Sequence, residues 1–167
     1  MAFSPEIHNL ARQIIALYTE QKRRIVTAES CTGGMVGAAL TDIPGSSAVF
    51  ERGFITYSND AKIDLLGILP EMLNRFGAVS AEVAEAMAEG ALAYSLADVA
   101  VSLTGIAGPD GATPGKPVGL VYLAIATREG ATFHYGCEFH GDRDAVRTQA
   151  VHQALSLLLS HVQDPHL

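Results

Sequence analysis

Ser30 and Cys31 place a hydroxyl and a thiol side by side within residues 29–35. The apolar residues 25–28 before them predict a buried strand, and the glycine pair and small residues after them predict a turn into a helix. Backbone N–H groups at the start of a helix lack partners, so they can hold a phosphate, a carboxylate or a developing oxyanion. This stretch is therefore a candidate nucleophile or anion site, with an ordinary helix cap as the alternative.

Hydrolysis of an amide by a serine requires a hydroxyl, a base that removes its proton, and hydrogen-bond donors for the oxyanion. Ser30 offers the hydroxyl, and the backbone amides of Thr32, Gly33 and Gly34 offer the donors. None of the six histidines lies in a glycine-rich loop, and none has the spacing of a metal ligand set. A Ser-His triad and a metal site are therefore disfavoured, and the base has to come from elsewhere.

Lysine is the alternative base, and the chain contains three: Lys22, Lys62 and Lys116. Lys62 follows the second predicted strand, where partial burial would lower the pKa of its ammonium group enough for base catalysis. Tyr57 is close to it in the sequence and could relay a proton. A solvent-exposed helix lysine is the competing interpretation of Lys62.

Cys31 is a rival nucleophile, because the N-terminus of a helix can lower the pKa of a thiol. It has no identifiable histidine partner, so a small buried residue is the competing interpretation. The Gly- and Pro-rich loop of residues 104–117 could bind an anion through its backbone amides, although it lacks the Gly-Lys-Ser/Thr ending of a Walker phosphate-binding loop. Arg143 and Arg147 are four residues apart on the last predicted helix and could reach a phosphate together, or could pair with neighbouring acids.

The elements that must position these residues alternate between helical and strand patterns. Strands are predicted at 25–28, 48–57, 98–103, 119–126 and 131–139, and helices at 5–24, 35–40, shortly after 58, and at 70–76, 80–96 and 142–162. This order predicts one domain over residues 1–167, an α/β fold built as a three-layer α/β/α sandwich with a mixed sheet of about four to six strands. Residues 30–34 and 104–108 both follow strands, so we expect the two loops to face one pocket.

The composition is that of a soluble globular protein, with 49% hydrophobic and 17% charged residues. No apolar run reaches the ~18 residues of a membrane-spanning helix, and no signal peptide is visible, so we expect a cytoplasmic protein without a membrane partner. The net charge of −7 disfavours broad binding to nucleic acid. Two widely separated cysteines predict no disulfide framework.

Six motifs, in order along most of the chain, resemble the CinA C-terminal domain family, the nicotinamide mononucleotide (NMN) deamidases. They are AESCTGG (28–34), PGSS (44–47), YSNDAK (57–62), GAVS (77–80), TGIAGP (104–109) and KPVG (116–119). The resemblance implies the stand-alone amidohydrolase form, because the chain has no room for the molybdopterin-binding-like domain of longer CinA proteins. One departure is Ala112, where the family usually has glycine, and it affects only the detail of that loop.

The resemblance further implies hydrolysis of NMN to nicotinic acid mononucleotide and ammonia, in pyridine nucleotide recycling, without a metal or other cofactor. Ser30 would attack the carboxamide carbon, Lys62 would act as the base, and Tyr57 would complete this cluster. The amides of Thr32, Gly33 and Gly34 would stabilise the oxyanion. A non-enzymatic nucleotide-binding or regulatory module that retains the pocket is the alternative function.

The family's substrate contacts carry over to the second loop and the last helix. Thr104, Gly105 and Gly108 would line the nucleotide side of the pocket, and Arg143 or Arg147 would bind the 5′-phosphate. Compact α/β enzymes are commonly homo-oligomers, so we also expect at least a dimer.

Overall fold

The computed structural model describes residues 3–164, and its centre is a five-stranded mixed sheet. The strands are β1 (Ile25–Glu29), β2 (Phe50–Ile55), β3 (Val99–Gly105), β4 (Leu120–Thr127) and β5 (Phe133–Glu138). They lie in the order β2-β1-β3-β4-β5, with β1 parallel to both β2 and β3, and β4 antiparallel to β3 and β5. The predicted α/β class with a mixed sheet is confirmed.

Six helices surround the sheet: α1 (Pro5–Glu20), α2 (Met35–Thr41), α3 (Asn59–Leu66), α4 (Pro70–Phe76), α5 (Ala81–Ala93) and α6 (Arg143–Gln163). Four of them begin after a capping side chain, which accepts a hydrogen bond from a first-turn amide: Ser4, Ser58, Ser80 and Asp142. Such caps satisfy backbone donors that the helix itself leaves unpaired. They explain why these four starts could be located closely from the sequence.

Some predicted boundaries are wrong by a few residues. Helix α1 ends at Glu20, and residue Lys22 adopts a φ of +54°, which is incompatible with continuing the helix. A short 3₁₀ turn over Ser46–Ala48 precedes β2, so this strand starts later than predicted. Helix α5 stops at Ala93 rather than near residue 96, because Arg128 donates hydrogen bonds to the carbonyls of Leu92 and Ser95 at the helix end.

Apolar clusters cover both faces of the sheet. Helices α1, α2 and α6 pack on one face around residues such as Ile14 and Leu155, whereas α5 packs on the other around Met87. Consecutive residues of β1 point to opposite faces, so Ile25 belongs to the first cluster and Val26 to the second. Burial on both sides explains why a strand at this position is nearly continuous in apolar residues.

The carboxyl ends of β1 and β3 meet at one edge of the sheet. The two strands are parallel, with Glu29 opposite Leu103, and the Ser30 amide donates to the Leu103 carbonyl at 3.0 Å. The turn after β1 and the loop after β3 therefore leave the sheet side by side, as predicted from the sequence. Within residues 3–164, no helix combines the length and apolarity needed to cross a membrane.

Candidate active site

Lys62 and Ser30 form a buried side-chain pair at this edge of the sheet. The Lys62 Nζ group donates to Ser30 Oγ at 3.1 Å and to the carbonyl of Thr56 at 2.8 Å. The Lys62 residue is 1% exposed, which makes it one of the largest fully buried side chains. The cap at Ser58 begins helix α3 at Asn59, and Lys62 lies in the first turn of this helix. The two residues predicted as nucleophile and base are thus brought into hydrogen-bond contact.

Burial determines the electrostatics of Lys62. Desolvation lowers the pKa of its ammonium group, with a smaller opposing effect of the neighbouring Cys31. No carboxylate in the described range forms an ion pair with Lys62 that would counteract this shift. A lowered pKa increases the fraction of neutral amine near neutral pH, and a neutral amine can accept the proton of the Ser30 hydroxyl.

Burial has the opposite consequence for the rival nucleophile. It raises the pKa of the Cys31 thiol to about 11, so the thiol remains protonated at neutral pH. The reactive form of a cysteine is the thiolate. The environment of Cys31 therefore favours a packing role for its side chain.

The turn of residues 30–34 is arranged differently from the predicted oxyanion hole. The Gly33 amide donates to the Ser30 carbonyl at 3.0 Å, so it is already engaged within the turn. Thr32, Gly33 and Gly34 do not line the cavity beside Lys62, whereas Ser30 and Cys31 do. Of the three predicted donors, the Gly33 amide is therefore the one already engaged, and an oxyanion role for the amides of Thr32 and Gly34 stays a prediction.

Glu29 holds this turn in place, and the sequence analysis assigned it no role. Its Oε1 accepts hydrogen bonds from the Thr32 hydroxyl at 2.7 Å and from the Val36 amide at 3.0 Å, and Oε2 accepts from the Gly37 amide at 3.0 Å. The residue is 1% exposed. The anion predicted at the start of helix α2 is therefore the protein's own carboxylate. An acidic residue at the end of an otherwise apolar strand is the sequence signal that could have indicated it.

A cavity of about 270 Å³ opens above the Lys62 and Ser30 pair. The structure brings Thr104, Gly105 and Gly108 to its wall, as predicted. The Thr104 hydroxyl donates to the Ala78 carbonyl at 2.7 Å, which fixes the loop after β3 against the residues before α5. A Cβ atom at Gly105 would lie 2.8 Å from the Leu120 carbonyl oxygen, so this position has room for glycine alone. Further lining residues that the sequence analysis did not single out are Asn59, Ala78, Val79, Ile106, Ala107, Asp110 and Gly111.

The two candidate arginines of helix α6 have separate partners. Arg143 lines the cavity and donates from Nη1 to the Gly108 carbonyl at 2.8 Å and from Nη2 to the Tyr57 hydroxyl at 3.0 Å. Arg147 donates to the carbonyls of Cys31 at 3.1 Å and Thr32 at 3.2 Å, and it lines a different cavity. The structure therefore places Arg143 at the cavity beside Ser30 and Arg147 against the turn of residues 30–34.

Tyr57 belongs with Arg143 rather than with the buried pair. Its side chain lies at the mouth of the cavity, and the residue is 61% exposed. The hydrogen-bond partner of its hydroxyl is the Arg143 guanidinium, not Lys62 or Ser30. A proton relay through Tyr57, which the sequence suggested, has no hydrogen-bonded path in this arrangement.

Fold and site together define an α/β protein with a buried Ser-Lys pair at the carboxyl edge of a mixed sheet. The family model of the CinA C-terminal domain matches residues 7–162, and the chain belongs to this family. It is 47% identical to a putative competence-damage inducible protein of Caldicellulosiruptor bescii, over 93% of this chain and 38% of that protein. The chain thus spans about two fifths of the length of such relatives.

Shorter relatives match over nearly their whole length. The nicotinamide-nucleotide amidohydrolase PncC of Escherichia coli K12 is 50% identical, over 92% of this chain and 93% of that protein. Among solved structures, the competence/damage inducible protein CihA of Agrobacterium tumefaciens has a TM-score of 0.95 at 47% identity, covering 98% of this chain and 99% of that chain. The resemblance inferred from the six sequence motifs is confirmed.

Proposed function

We propose that this protein hydrolyses the carboxamide of nicotinamide mononucleotide to give nicotinic acid mononucleotide and ammonia. Relatives of similar length and 50% identity that carry the name nicotinamide-nucleotide amidohydrolase support this substrate. The observation that carries the proposal is the 3.1 Å contact between Lys62 Nζ and Ser30 Oγ in a buried site. It supplies both a nucleophile and a base for acyl transfer.

The first step forms the acyl-enzyme. Neutral Lys62 takes the proton of the Ser30 hydroxyl while Oγ attacks the carboxamide carbon, and the carbonyl oxygen becomes an oxyanion. The Cys31 amide is our preferred donor to this oxyanion, because Cys31 lines the cavity beside Ser30. When the intermediate collapses, the C–N bond breaks and the Lys62 ammonium returns the proton to the leaving nitrogen. Ammonia departs and an ester on Ser30 remains.

The second step hydrolyses the ester. Lys62, again neutral, removes a proton from a water molecule, and the resulting hydroxide adds to the ester carbon. The bond between this carbon and Ser30 Oγ then breaks, and Lys62 returns a proton to Oγ. The product is released as a carboxylic acid that loses its proton to solvent, and the enzyme regains its starting protonation state.

Substrate contacts outside the reacting group are assigned from the cavity wall. Arg143 is our candidate for the 5′-phosphate, because its guanidinium lines the cavity and pairs with no carboxylate in the described part of the chain. Tyr57 would orient Arg143 through the hydrogen bond between them. Thr104, Gly105 and Gly108 would contact the nucleotide through the loop after β3.

The direct test is to incubate the purified protein with nicotinamide mononucleotide and to measure ammonia and the deamidated nucleotide. We expect turnover, and we expect none from Ser30→Ala. Binding of the nucleotide without turnover by the unaltered protein would instead support the alternative function of a nucleotide-binding or regulatory module. The product is a pyridine nucleotide, which fits a role in pyridine nucleotide recycling.

We also propose a homo-oligomer, at least a dimer, in the cytoplasm. Light scattering coupled to size-exclusion chromatography measures the mass directly. A mass of 17.6 kDa, that of a single chain, would contradict the oligomer.

A further inference from the structure

A second and larger cavity, of about 490 Å³, lies at the opposite edge of the sheet from Ser30. Arg23, which immediately precedes the link into β1, contributes to its wall together with the hairpin between β4 and β5. Ser30 follows the other end of β1. The two sites are therefore separated by the length of this strand, roughly 17 Å at about 3.3 Å per residue. This cavity plays no part in the reaction proposed above.

Two guanidinium groups face the cavity without carboxylate partners. Arg128 donates from Nε to the Ala97 carbonyl and from Nη2 to the carbonyls of Leu92 and Ser95, which fixes its plane. Its Nη1 has no acceptor among residues 3–164. Arg23 packs over the Tyr18 ring with its guanidinium carbon 6.0 Å from the ring centre. Neither arginine forms an ion pair with a described acid.

His161 lies in the same wall and contacts Arg23. Its Nε2 lies 3.5 Å from Arg23 Nη2, which can only donate, so Nε2 is the acceptor and the neutral ring carries its hydrogen on Nδ1. This Nδ1 group is buried and has no hydrogen-bond partner in the described structure. Burial, and secondarily Arg23, lower the pKa of His161, which keeps the ring neutral. Buried donors without acceptors are rare, because they lose their hydrogen bonds to water.

The acids of the cavity form no ion pairs with its arginines, so both guanidinium groups keep free donors. Asp98 accepts a hydrogen bond from the Arg24 amide at 2.7 Å, and Glu129 lies on the exposed hairpin. Neither is within ion-pair distance of Arg23 or Arg128. Their charges nevertheless make the wall unfavourable for a polyanion such as nucleic acid, so the observations favour a ligand with one small anionic group.

We propose that this cavity binds a small metabolite through a phosphate or carboxylate group held by Arg23 and Arg128. The free Nη1 of Arg128 and the guanidinium of Arg23 donate to the anionic oxygens, and the His161 ring, whose Nε2 accepts from Arg23, helps to hold that guanidinium at the wall. The volume exceeds that of the cavity at Ser30, so the ligand has room beyond its anionic group. The site is distinct from that of the proposed substrate.

The test is a titration of the full chain with inorganic phosphate and, in parallel, with acetate. Binding is monitored by NMR through the backbone amide resonances of Glu129 and Gly130. Arg23→Gln is the test variant, because Arg128 holds the end of helix α5 and its loss could unfold the protein. Arg143→Gln is the matched control, since it alters the other cavity. A second variant, His161→Phe, tests the imidazole, and circular dichroism checks that every variant is folded.

We expect the Glu129 and Gly130 resonances to shift with at least one of the two anions in the unaltered protein and in Arg143→Gln. In Arg23→Gln we expect the apparent dissociation constant to rise about tenfold or more, as loss of a charge-assisted hydrogen bond predicts. The anion that binds more tightly identifies the class of ligand. No shift with either anion, or equal binding by Arg23→Gln, would overturn the proposal. Neither outcome depends on whether the protein hydrolyses nicotinamide mononucleotide.

Discussion

The carboxylate of Glu29 accepts a hydrogen bond from the Gly37 amide at 3.0 Å, although eight residues separate them. The strand that ends at Glu29 and the helix that contains Gly37 are thereby tied together across the turn that carries Ser30. Because the same carboxylate also accepts a hydrogen bond from the Thr32 hydroxyl, one buried acid holds both ends of the turn that follows Ser30, the proposed nucleophile.

We expect Glu29→Gln to lower kcat at least tenfold with a smaller change in KM. A glutamine side chain keeps one acceptor oxygen, but its NH2 group would face the amides and the hydroxyl that now donate to Glu29. At least one buried hydrogen bond is therefore lost, which costs about 1–3 kcal/mol of folding free energy. Steady-state kinetics and thermal unfolding measure the two effects. Glu82→Gln, at an exposed position in the first turn of α5, is the control. An unchanged kcat would show that the turn does not need this carboxylate.

Ser30→Ala should remove ammonia release from nicotinamide mononucleotide while leaving the unfolding temperature near that of the unaltered protein. The alanine keeps the Ser30 backbone bonds to Leu103 and Gly33 and removes only the hydroxyl. Cys31→Ala is the neighbouring control and should retain turnover, because burial keeps its thiol protonated. If Cys31→Ala is inactive and Ser30→Ala is active, the assignment of the nucleophile is reversed.

Lys62→Met should lower kcat by about 10²–10⁴, the usual contribution of a general base, with little effect on nucleotide binding. In the unaltered protein, kcat/KM should rise with pH as Lys62 loses its proton, with a midpoint below the ordinary lysine value of about 10.4. Kinetics from neutral to alkaline pH measure this profile. A variant that changes KM alone would indicate a positioning role for Lys62 instead.

The same group should give stability a pH dependence of defined sign. The folded pKa of Lys62 is lowered, so between this pKa and the ordinary value the unfolded chain binds more protons than the folded one. The free energy of unfolding therefore rises with pH across that window, and below it the protein carries the full cost of a buried ammonium. Burial of Cys31 acts in the opposite sense at alkaline pH, because it raises the pKa of that thiol to about 11. The contribution of Lys62 is therefore the difference in slope between the unaltered protein and Lys62→Met in denaturant titrations, and Lys22→Met should keep the slope of the unaltered protein.

Arg143→Gln should raise KM for the nucleotide by about 10- to 100-fold, as expected for loss of a hydrogen bond to a charged group. With nicotinamide riboside, which lacks the phosphate, the variant and the unaltered protein should differ little. Arg147→Gln is the matched comparison on the same helix, and it should lower kcat, because Arg147 supports the carbonyls of Cys31 and Thr32. Equal losses on both substrates would place Arg143 away from the phosphate.

Gly34→Ala should destabilise the fold by about 1–3 kcal/mol, as strained backbone positions do. Its φ is +99°, and a Cβ atom there would lie 2.9 Å from Ile55 Cδ1. Gly45→Ala provides the control, because its φ is +88° but a Cβ atom would meet nothing within 4 Å. The difference between the two variants in denaturant unfolding isolates the contact with Ile55. Equal destabilisation would attribute the whole effect to the backbone.

The sequence was informative where local chemistry determines structure. Capping residues such as Ser58 and Ser80, and the apolar runs of β1 and β3, allowed the order of elements and the common edge of the sheet to be predicted. Ser30 and Lys62 were identified from their residue types and motifs. Their contact distance was not predictable, because it depends on how α3 is oriented after β2.

The directions of individual side chains and amides could not be predicted from the sequence. The Gly33 amide turns back to the Ser30 carbonyl and closes a turn over residues 31 and 32, so its donor cannot be assumed to face a substrate. Arg143 and Arg147 seemed equivalent, but four residues advance a helix by about 6 Å, enough to reach different cavities. No role was predicted for Glu29, because its hydrogen-bond partners come together only after the turn has formed.

Three neighbouring strands anchor the polar atoms around Ser30 through backbone groups. The Ser30 amide donates to the Leu103 carbonyl near the end of β3, and Lys62 Nζ donates to the Thr56 carbonyl. The Thr56 amide in turn donates to the backbone carbonyl of Glu29 at 2.8 Å. Main-chain groups persist when side chains mutate. Substitutions on the outer surfaces of the helices therefore leave these backbone contacts, and with them the position of Ser30, unchanged.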